Sequence, residues 1–389
     1  MRPFFPIKIG FTPRLAALYG AFFIVAGISQ PFLPIWMSAK GLDPATIGVV
    51  LAAPMLLRVL IIPLATRQAD RRDALRAALI MAACFAVGGY ALMGVASGAG
   101  PILIAYAVAS IGFTPLMPLA ETYALKGLTA RGKHYGPVRL WGSATYILGN
   151  LAAGFAADII PARHIIWMIV VASFGTAIAA FGLEPISTAP PVTNEQAAPR
   201  RSLLRDPAFI AVLAAASLIQ ASHAVFYGFS AVAWSKAGLD GPIIAALWGL
   251  GVAAEIVLFA FSGRLPPFIN PTMLLLIGAL GATLRWAGMA LDPPVMALPW
   301  LQMLHALSFG ATHLGALGFV ARHAPPGQAA TAQGYLAIAT GVVMAGAMGI
   351  SGVLYESFGN RAYAAMALAA VAGGACALVA HRTRDNAAV

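Results

Sequence analysis

Five charged residues and two histidines sit inside apolar stretches long enough to cross a bilayer: Arg58, Glu121, Arg139, Glu255, Arg285, His305 and His313. A charge near the bilayer centre costs about 2.5–3.5 kcal/mol on insertion scales. Five of them carry a gross penalty on the order of 15 kcal/mol before any pairing. Side chains kept at that cost line water-filled pathways and handle an ion, a proton or a polar solute. A guanidinium grips a carboxylate bidentately and keeps its charge. A carboxyl buried without a cationic partner holds a proton, because burial disfavours its charged form.

Spacing sorts these groups into sets. The fourth and fifth apolar segments form a hairpin turning near Ala130, with Glu121 nine residues before that point and Arg139 nine after. At a rise of about 1.5 Å per residue the two share a depth, within reach of pairing. Arg139, Gly142, Tyr146 and Asn150 fall on one helical stripe at about 100° per residue, a surface better suited to a ligand than to lipid. The plainer alternative is that both charges snorkel to the near interface.

In the second half, Arg285 and His305 flank a turn near Pro294 at similar distances, and His305, Ser308 and Thr312 form a polar stripe. His313 lies off that stripe, where a helix-packing hydrogen bond is the expectation. Eight residues separate the histidines, so they lack the i, i+4 spacing of a metal pair, and neither metal nor cofactor is expected. Glu255 shares a stripe with Trp248, Gly251 and Ser262; its cationic partner must come from another helix, with Arg285 and Arg58 the candidates. Gln220, His223, Tyr227 and Trp234 make one more polar–aromatic stripe, for which interhelical hydrogen bonding and ligand contact are both open.

The surrounding composition is that of a membrane protein. The 389 residues are 60% hydrophobic and 10% charged, with a mean hydropathy of +0.83; soluble domains run near 25% charged. Twelve apolar segments of roughly 20 residues are expected, centred near 26, 56, 85, 111, 147, 173, 220, 252, 281, 306, 340 and 371. With both termini cytoplasmic, 17 Lys/Arg fall inside, four outside and three within the membrane. That is the positive-inside bias. The net charge of +11 is therefore topological, and no nucleic-acid partner is expected. The basic start runs straight into an apolar helix, so no cleavable signal peptide is expected. Cys84 and Cys376 read as small core residues.

Residues 185–206 are Pro-rich and charged, as a cytoplasmic linker between an N-terminal bundle at 1–184 and a C-terminal bundle at 207–389. The halves repeat: G-L-D at 41–43 recurs at 238–240, an offset of 197 that also maps Arg58 onto Glu255 and Arg67 onto Arg264. Gly154 and Asp158 map onto Gly352 and Glu356 at 198. Parallel six-helix repeats build one large class of transporters. L-A-T-R-Q-A-D-R-R-D at 64–73 resembles the helix 2–3 loop signature of the major facilitator superfamily, with Thr66 where glycine is expected and the Asp70–Arg71–Arg72 core present.

Y-G-P-V-R-L-W-G-S (135–143), Q-A-S-H-A-V-F-Y-G-F-S (220–230), L-W-G-L-G-V-A-A-E-I-V-L-F-A-F-S (247–262), L-R-W (284–286) and L-H-A-L-S-F-G-A-T-H-L (304–314) resemble the phenylpropionate permease branch of that superfamily. This branch is similar to proton symporters of the lactose-permease type. The resemblance implies an all-α fold of twelve spans in two six-helix bundles, working by alternating access as a monomer in the plasma membrane. The 18-residue Glu121–Arg139 and 20-residue Arg285–His305 spacings resemble that group's substrate pair and its proton-coupling arginine and histidine. Tyr146 stands where the sugar permeases carry a stacking tryptophan, and Ser308 where they carry a second acid.

The expected reaction is proton-coupled import of a small organic acid, with an arylpropionate foremost. Substrate contacts are expected at Arg58, Glu121, Arg139, Tyr146, Asn150, Gln220, His223, Tyr227, Trp248 and Arg285. Proton coupling is expected at Glu255 and His305, and gating at Asp70 and Arg71. The alternative within the class is a neutral sugar or nucleoside. A multi-span enzyme would need a nucleophile or metal constellation, and no H-E-x-x-H, G-x-S-x-G or Cys/His cluster occurs. A transport-derived receptor would need an added signalling domain. An enzyme is not expected.

Overall fold

A chain this apolar must satisfy its backbone N–H and C=O groups internally, which within a bilayer leaves helices or closed barrels. The computed structural model describes residues 10–72, 74–186, 203–266, 268–324 and 328–385, and every regular element among them is helical. The first helices are α1 (Phe11–Ala39), α2 (Pro44–Arg71), α3 (Leu75–Val95), α4 (Ala99–Thr129), α5 (Gly136–Ala157) and α6 (Ile165–Phe181). The remainder are α7 (Pro207–Ala221), α8 (Ala224–Lys236), α9 (Gly241–Phe261), α10 (Pro271–Ala290), α11 (Leu298–Met303), α12 (Thr312–His323), α13 (Ala329–Phe358) and α14 (Tyr363–Asp385). Ten stretches among the described residues are long and apolar enough to cross a membrane; the last, Thr331–Thr383, runs through both α13 and α14. Most of the expected linker, 187–202, lies outside the described residues.

Two departures from continuous helix shape the surroundings of the buried polar groups. The stretch 207–236 breaks at Ser222–His223 into α7 and α8. The stretch 295–323 is interrupted between α11 and α12 by a π-helical segment, Ala306–Ala311. Helix starts follow ordinary capping rules: Asp206 accepts hydrogen bonds from the amides of Ala208 and Phe209, and Asn270 from that of Met273, each ahead of a proline at the first helical position.

Helix packing gathers the chain into two compact units: residues 1–33 with 60–190, and residues 34–59 with 191–389. The first has an apolar core around Leu15, Tyr19, Leu79, Leu119 and Tyr123. At its basic end Arg14 and Arg76 donate to the carbonyls of Gly182 and Phe181, at 2.8 and 2.9 Å. They cap the last turn of α6, whose final carbonyls lack partners within the helix. Glu184, just beyond, pairs with Arg131 at 3.1 Å and with Arg14 at 3.8 Å.

The second unit contains both copies of the repeated turn, and their geometry matches residue for residue. Gly41 and Gly238 each have φ +85°, a conformation glycine adopts without steric cost. The next amide reaches back five residues in both, from Leu42 to Met37 at 3.2 Å and from Leu239 to Trp234 at 3.0 Å. The helices that follow start at Pro44 and Gly241, placing Arg58 and Glu255 at equivalent positions. In the first copy the Asp43 carboxylate accepts from the Thr46 amide at 2.8 Å and its hydroxyl at 2.7 Å. Those bonds hold the carboxyl below its ordinary value of 3.8.

The first half of α2 packs on α13 through a pair of glycines. A Cβ on Gly352 would stand 2.3 Å from the Pro44 carbonyl oxygen, and one on Gly48 would stand 2.8 Å from that of Met348. Backbones meet here with no room for a methyl group, the packing that small residues permit between membrane helices. One turn earlier on α13, a Cβ on Gly349 meets nothing within 4 Å.

Gly352→Ala is therefore expected to destabilise the protein by about 1–3 kcal/mol through overpacking, whereas Gly349→Ala is neutral or stabilises by up to about 1 kcal/mol through helix propensity. Thermal unfolding of the two variants in one detergent checks the difference. Replacing Asp43 by Ala lowers the unfolding midpoint near neutral pH. The Asp43 pKa is depressed in the fold, so its contribution is present above pH 3.8 and lost as pH falls through the lower folded value; the gap from wild type should close in acid.

Candidate functional site

The second unit builds a buried polar network around Arg285 of α10, whose side chain is fully enclosed. Its Nη2 donates to Gln302 Oε1 at 2.6 Å and its Nη1 to His305 Nδ1 at 2.9 Å, with Ser308 Oγ at 3.4 Å. The guanidinium stacks on Phe226 (4.4 Å) and Trp286 (4.5 Å). Every partner is neutral or aromatic, and among the described residues no carboxylate lies within 4.0 Å of it. Its Nε is also buried without a hydrogen bond.

These bonds dictate where protons sit. Because Arg285 donates to Nδ1 of His305, that nitrogen is the acceptor and the ring proton is on Nε2. Nε2 points at Glu255 Oε2 of α9, 3.5 Å away. His223 is the mirror case: its Nδ1 faces the carbonyls of Ile219 and Gln220 at 3.2 and 3.1 Å and must donate. Its Nε2 therefore accepts from the Ser308 hydroxyl at 3.1 Å. One chain of bonds thus runs from His223 through Ser308 to Arg285, then through His305 to Glu255.

The helix irregularities make this chain possible. At the α7–α8 break Ser222 donates to the Ile219 carbonyl at 2.6 Å and accepts from the Trp286 indole at 2.8 Å. Gln220 donates to the carbonyl of Phe309 within the π-helical segment at 3.4 Å. The wider π turn brings Ser308 to the same guanidinium as His305, and π segments recur at functional sites. Gly251 of α9 lets His305 approach, for a Cβ there would sit 3.3 Å from that of His305. Phe226 stacks on Trp248 at 4.6 Å and Tyr227 on His223 at 5.5 Å, completing an aromatic wall.

Arg285 and His305 meet as their spacing predicts. Glu255, however, meets His305, and neither Arg285 nor Arg58 is within ion-pair distance of it. Arg58, in the middle of α2, is exposed and has no acidic partner among the described residues. His313 makes no hydrogen bond among the described residues; it is exposed, with its ring beside those of Phe309 and Phe259. The π segment explains this, since its extra residue rotates everything after Ala311 away from a 3.6-residue register.

In the first unit Glu121 and Arg139 form no ion pair. Glu121 accepts from Tyr135 Oη at 3.3 Å, while the Arg139 guanidinium turns to α1 and lies 4.3 Å from the Phe23 ring. Shared depth does not fix azimuth, and Phe23 captures the cation. The rest of that α5 stripe also faces α1. Tyr146 donates to Gln30 Oε1 at 2.6 Å, Asn150 is fully buried, and Gly27 lies against the Tyr146 carbonyl. In the expected gating segment α2 stays helical to Arg71, so Thr66 sits inside a helix, bonded to the Ile62 carbonyl at 2.9 Å, where glycine has no special task. Arg71 is exposed in the last turn; the Asp70 side chain lies outside the described residues.

Sequence reasoning missed Gln302, Ser222, Phe226 and Trp286. Gln302 carried a signal, as the one amide in an apolar run a turn before His305. The helix break had none: Q-A-S-H contains neither proline nor glycine.

The sequence profile of the MFS_1 like family matches residues 13–365. The chain is 30% identical over 378 residues to the "Probable 3-phenylpropionic acid transporter" of Escherichia coli (strain K12), covering 92% of this chain and 95% of that protein. It is 28% identical to the "Maltose permease" of Geobacillus stearothermophilus, covering 83% and 82%. Among solved structures, the nucleoside transporter NupG superposes with a TM-score of 0.81 at 15% identity, covering 96% of this chain and 99% of that one. A bacterial homologue of the lysosomal transporter Spinster, in an inward-facing and occupied conformation, gives 0.75 at 15%, covering 96% of each. At that identity the superpositions establish the fold. With its family profile, its relatives and its helical architecture in agreement, this chain belongs to the MFS_1 like family and is an integral membrane secondary transporter of the major facilitator superfamily, a carrier of small molecules and no enzyme.

Proposed function

We propose that this transporter imports a small aromatic acid of the arylpropionate type together with a proton, by alternating access across the plasma membrane. One observation carries the reading: among the described residues Arg58, Arg139 and Arg285, on α2, α5 and α10, have no carboxylate within 4.0 Å. Arg58 is exposed, Arg139 rests on Phe23, and Arg285 is buried among neutral partners. Among the described residues, Glu121 and Glu255 are the acidic residues that lie more than one turn from either end of their helix. A low-dielectric environment holding surplus guanidinium charge favours an anionic ligand, and a guanidinium receives a carboxylate bidentately. Tyr227, Trp248 and Phe226 supply flat apolar surface for a ring. The relative named for 3-phenylpropionic acid agrees in substrate class.

The proton follows from charge. Moving a lone anion against a membrane potential costs about 2.3 kcal/mol per 100 mV. One proton carried with one carboxylate cancels that cost. Glu255 and His305 take the proton, since the His305 Nε2–H faces the Glu255 carboxylate. A substrate carboxylate that draws Arg285 away from His305 Nδ1 leaves that nitrogen free to be protonated, which ties substrate to proton in one carrier state. The repeated halves in this proposal are 1–184 and 207–389, joined by 185–206, with the termini cytoplasmic and the chain working as a monomer. Arg71 and Asp70 act as the gate on the basic side.

A neutral sugar is the second reading, favoured by the maltose permease relative. The two part on arginine dependence, because a neutral substrate tolerates loss of a cavity cation. The deciding experiment is uptake into proteoliposomes of a panel of aromatic acids, sugars and nucleosides, with and without an imposed pH gradient. Aromatic acids accumulating only under an inward proton gradient support the proposal; no uptake of any aromatic acid ends it.

Arg285→Lys supplies a point charge without a planar fork, and aromatic-acid uptake is expected to fall at least tenfold; unchanged uptake would remove Arg285 from the site. Glu255→Gln keeps a hydrogen-bonding group beside His305 but no titratable one. It should abolish accumulation while sparing counterflow exchange, and concentrative uptake in that variant would refute the coupling role.

A further inference from the structure

On the membrane face of the first unit, three helices leave a groove of about 860 Å³ that transport of a small acid does not use. Its walls are α1 (Thr12 to Ile24), the start of α5 (Val138, Trp141, Thr145) and the end of α6 (Gly175, Ile178, Ala179). The volume falls within the roughly 300–1,000 Å³ of ligand clefts. The floor is open: a Cβ built on Gly175 meets nothing within 4 Å. Trp141 is 58% exposed and Ile178 59%, so the groove faces the acyl region rather than the interior of the unit.

Its basic end sets the chemistry of the occupant. Thr12, a wall residue, accepts a hydrogen bond from Lys133 Nζ at 3.1 Å, which fixes an ammonium at the mouth. Lys133 is exposed and has no acidic partner among the described residues. Arg14 and Arg131 stand at the same end and share the single carboxylate of Glu184. Among the described residues this end carries the cations Arg14, Arg131 and Lys133 and the carboxylate of Glu184. Trp141 lies five residues from the start of α5 at Gly136, toward the same end as Lys133. Indoles favour the boundary of headgroup and chain, and its N–H has no partner among the described residues.

We propose that this groove is a binding site for an anionic phospholipid, with one acyl chain between α1, α5 and α6, the phosphate on Lys133, and the Trp141 indole N–H donating to the ester region. The test uses purified protein exchanged into an equimolar mixture of dioleoyl phosphatidylglycerol and dioleoyl phosphatidylcholine, with retained lipid counted by native mass spectrometry. Wild type is expected to retain phosphatidylglycerol at least fivefold over phosphatidylcholine. Lys133→Glu removes the phosphate contact and Gly175→Phe fills the chain groove; each should cut retention at least threefold. Val171→Phe, on the exposed face of α6 outside the groove, should leave it unchanged. Unfolding midpoints without added lipid identify a misfolded variant, and Lys133→Glu, a surface change, decides the matter if Gly175→Phe does not fold. Equal retention of the two lipids, or wild-type retention in Lys133→Glu, overturns the proposal. So does a wild-type dimer that Gly175→Phe converts to monomer, since a second copy would then be the occupant.

Discussion

A guanidinium buried without a carboxylate is the constraint around which the second unit is arranged. Removing such a charge from water costs several kcal/mol even after relaxation, so Arg285 must be surrounded by acceptors and polarizable surface. Gln302, His305 and Ser308 supply the acceptors, while Phe226 and Trp286 supply the faces of two rings. Delivering these groups to one point requires broken regularity. α7 stops at Ser222 so that His223 can turn inward, and the π segment offsets Ser308 from the ordinary helical position. Gly251 then opens the space through which His305 reaches Glu255. Six elements, α7 to α11 and the π segment, thus contribute to the surroundings of a single cation.

Elsewhere the helices meet by a different rule. In lipid there is no hydrophobic gain from bringing two apolar helices together, so contact depends on close packing. Gly48 with Gly352 in one unit, and Gly27 against Tyr146 in the other, bring backbone onto backbone. These contacts leave the polar stripe of α5 turned toward α1, where Tyr146 and Gln30 satisfy each other. A wheel projection of α5 marks that stripe as special but does not separate a ligand face from a packing face. Both are polar, and both need a partner.

How much could be read beforehand depended on the range of the physics involved. Helical class and the membrane environment follow from composition, and the repeat from the recurring G-L-D, because turn geometry is local; the matching φ of Gly41 and Gly238 shows this. The Arg285–His305 contact was legible because a hairpin fixes relative depth. The same arithmetic misled for Glu121 and Arg139, since depth leaves azimuth open and an aromatic ring on α1 took the guanidinium. His313 was misplaced because a helical wheel assumes 3.6 residues per turn through a stretch that adopts a wider one. Gln302, Ser222 and Trp286 were invisible as a set, coming from three helices with no shared spacing.

Composition, charge distribution and internal repetition alone determine an α-helical membrane chain with ionisable groups at membrane depth, because the bilayer imposes length, backbone satisfaction and charge asymmetry on any sequence that crosses it. The tertiary structure alone decided which of those groups touch. It joined Glu255 to His305, left Arg285 among neutral acceptors, turned Arg139 onto Phe23 and kept Arg58 exposed. The reason is geometric: partner choice rests on helix rotation and on breaks in helical register. Both are set by contacts between segments distant in the chain, among them glycine-backbone contacts that no local pattern encodes.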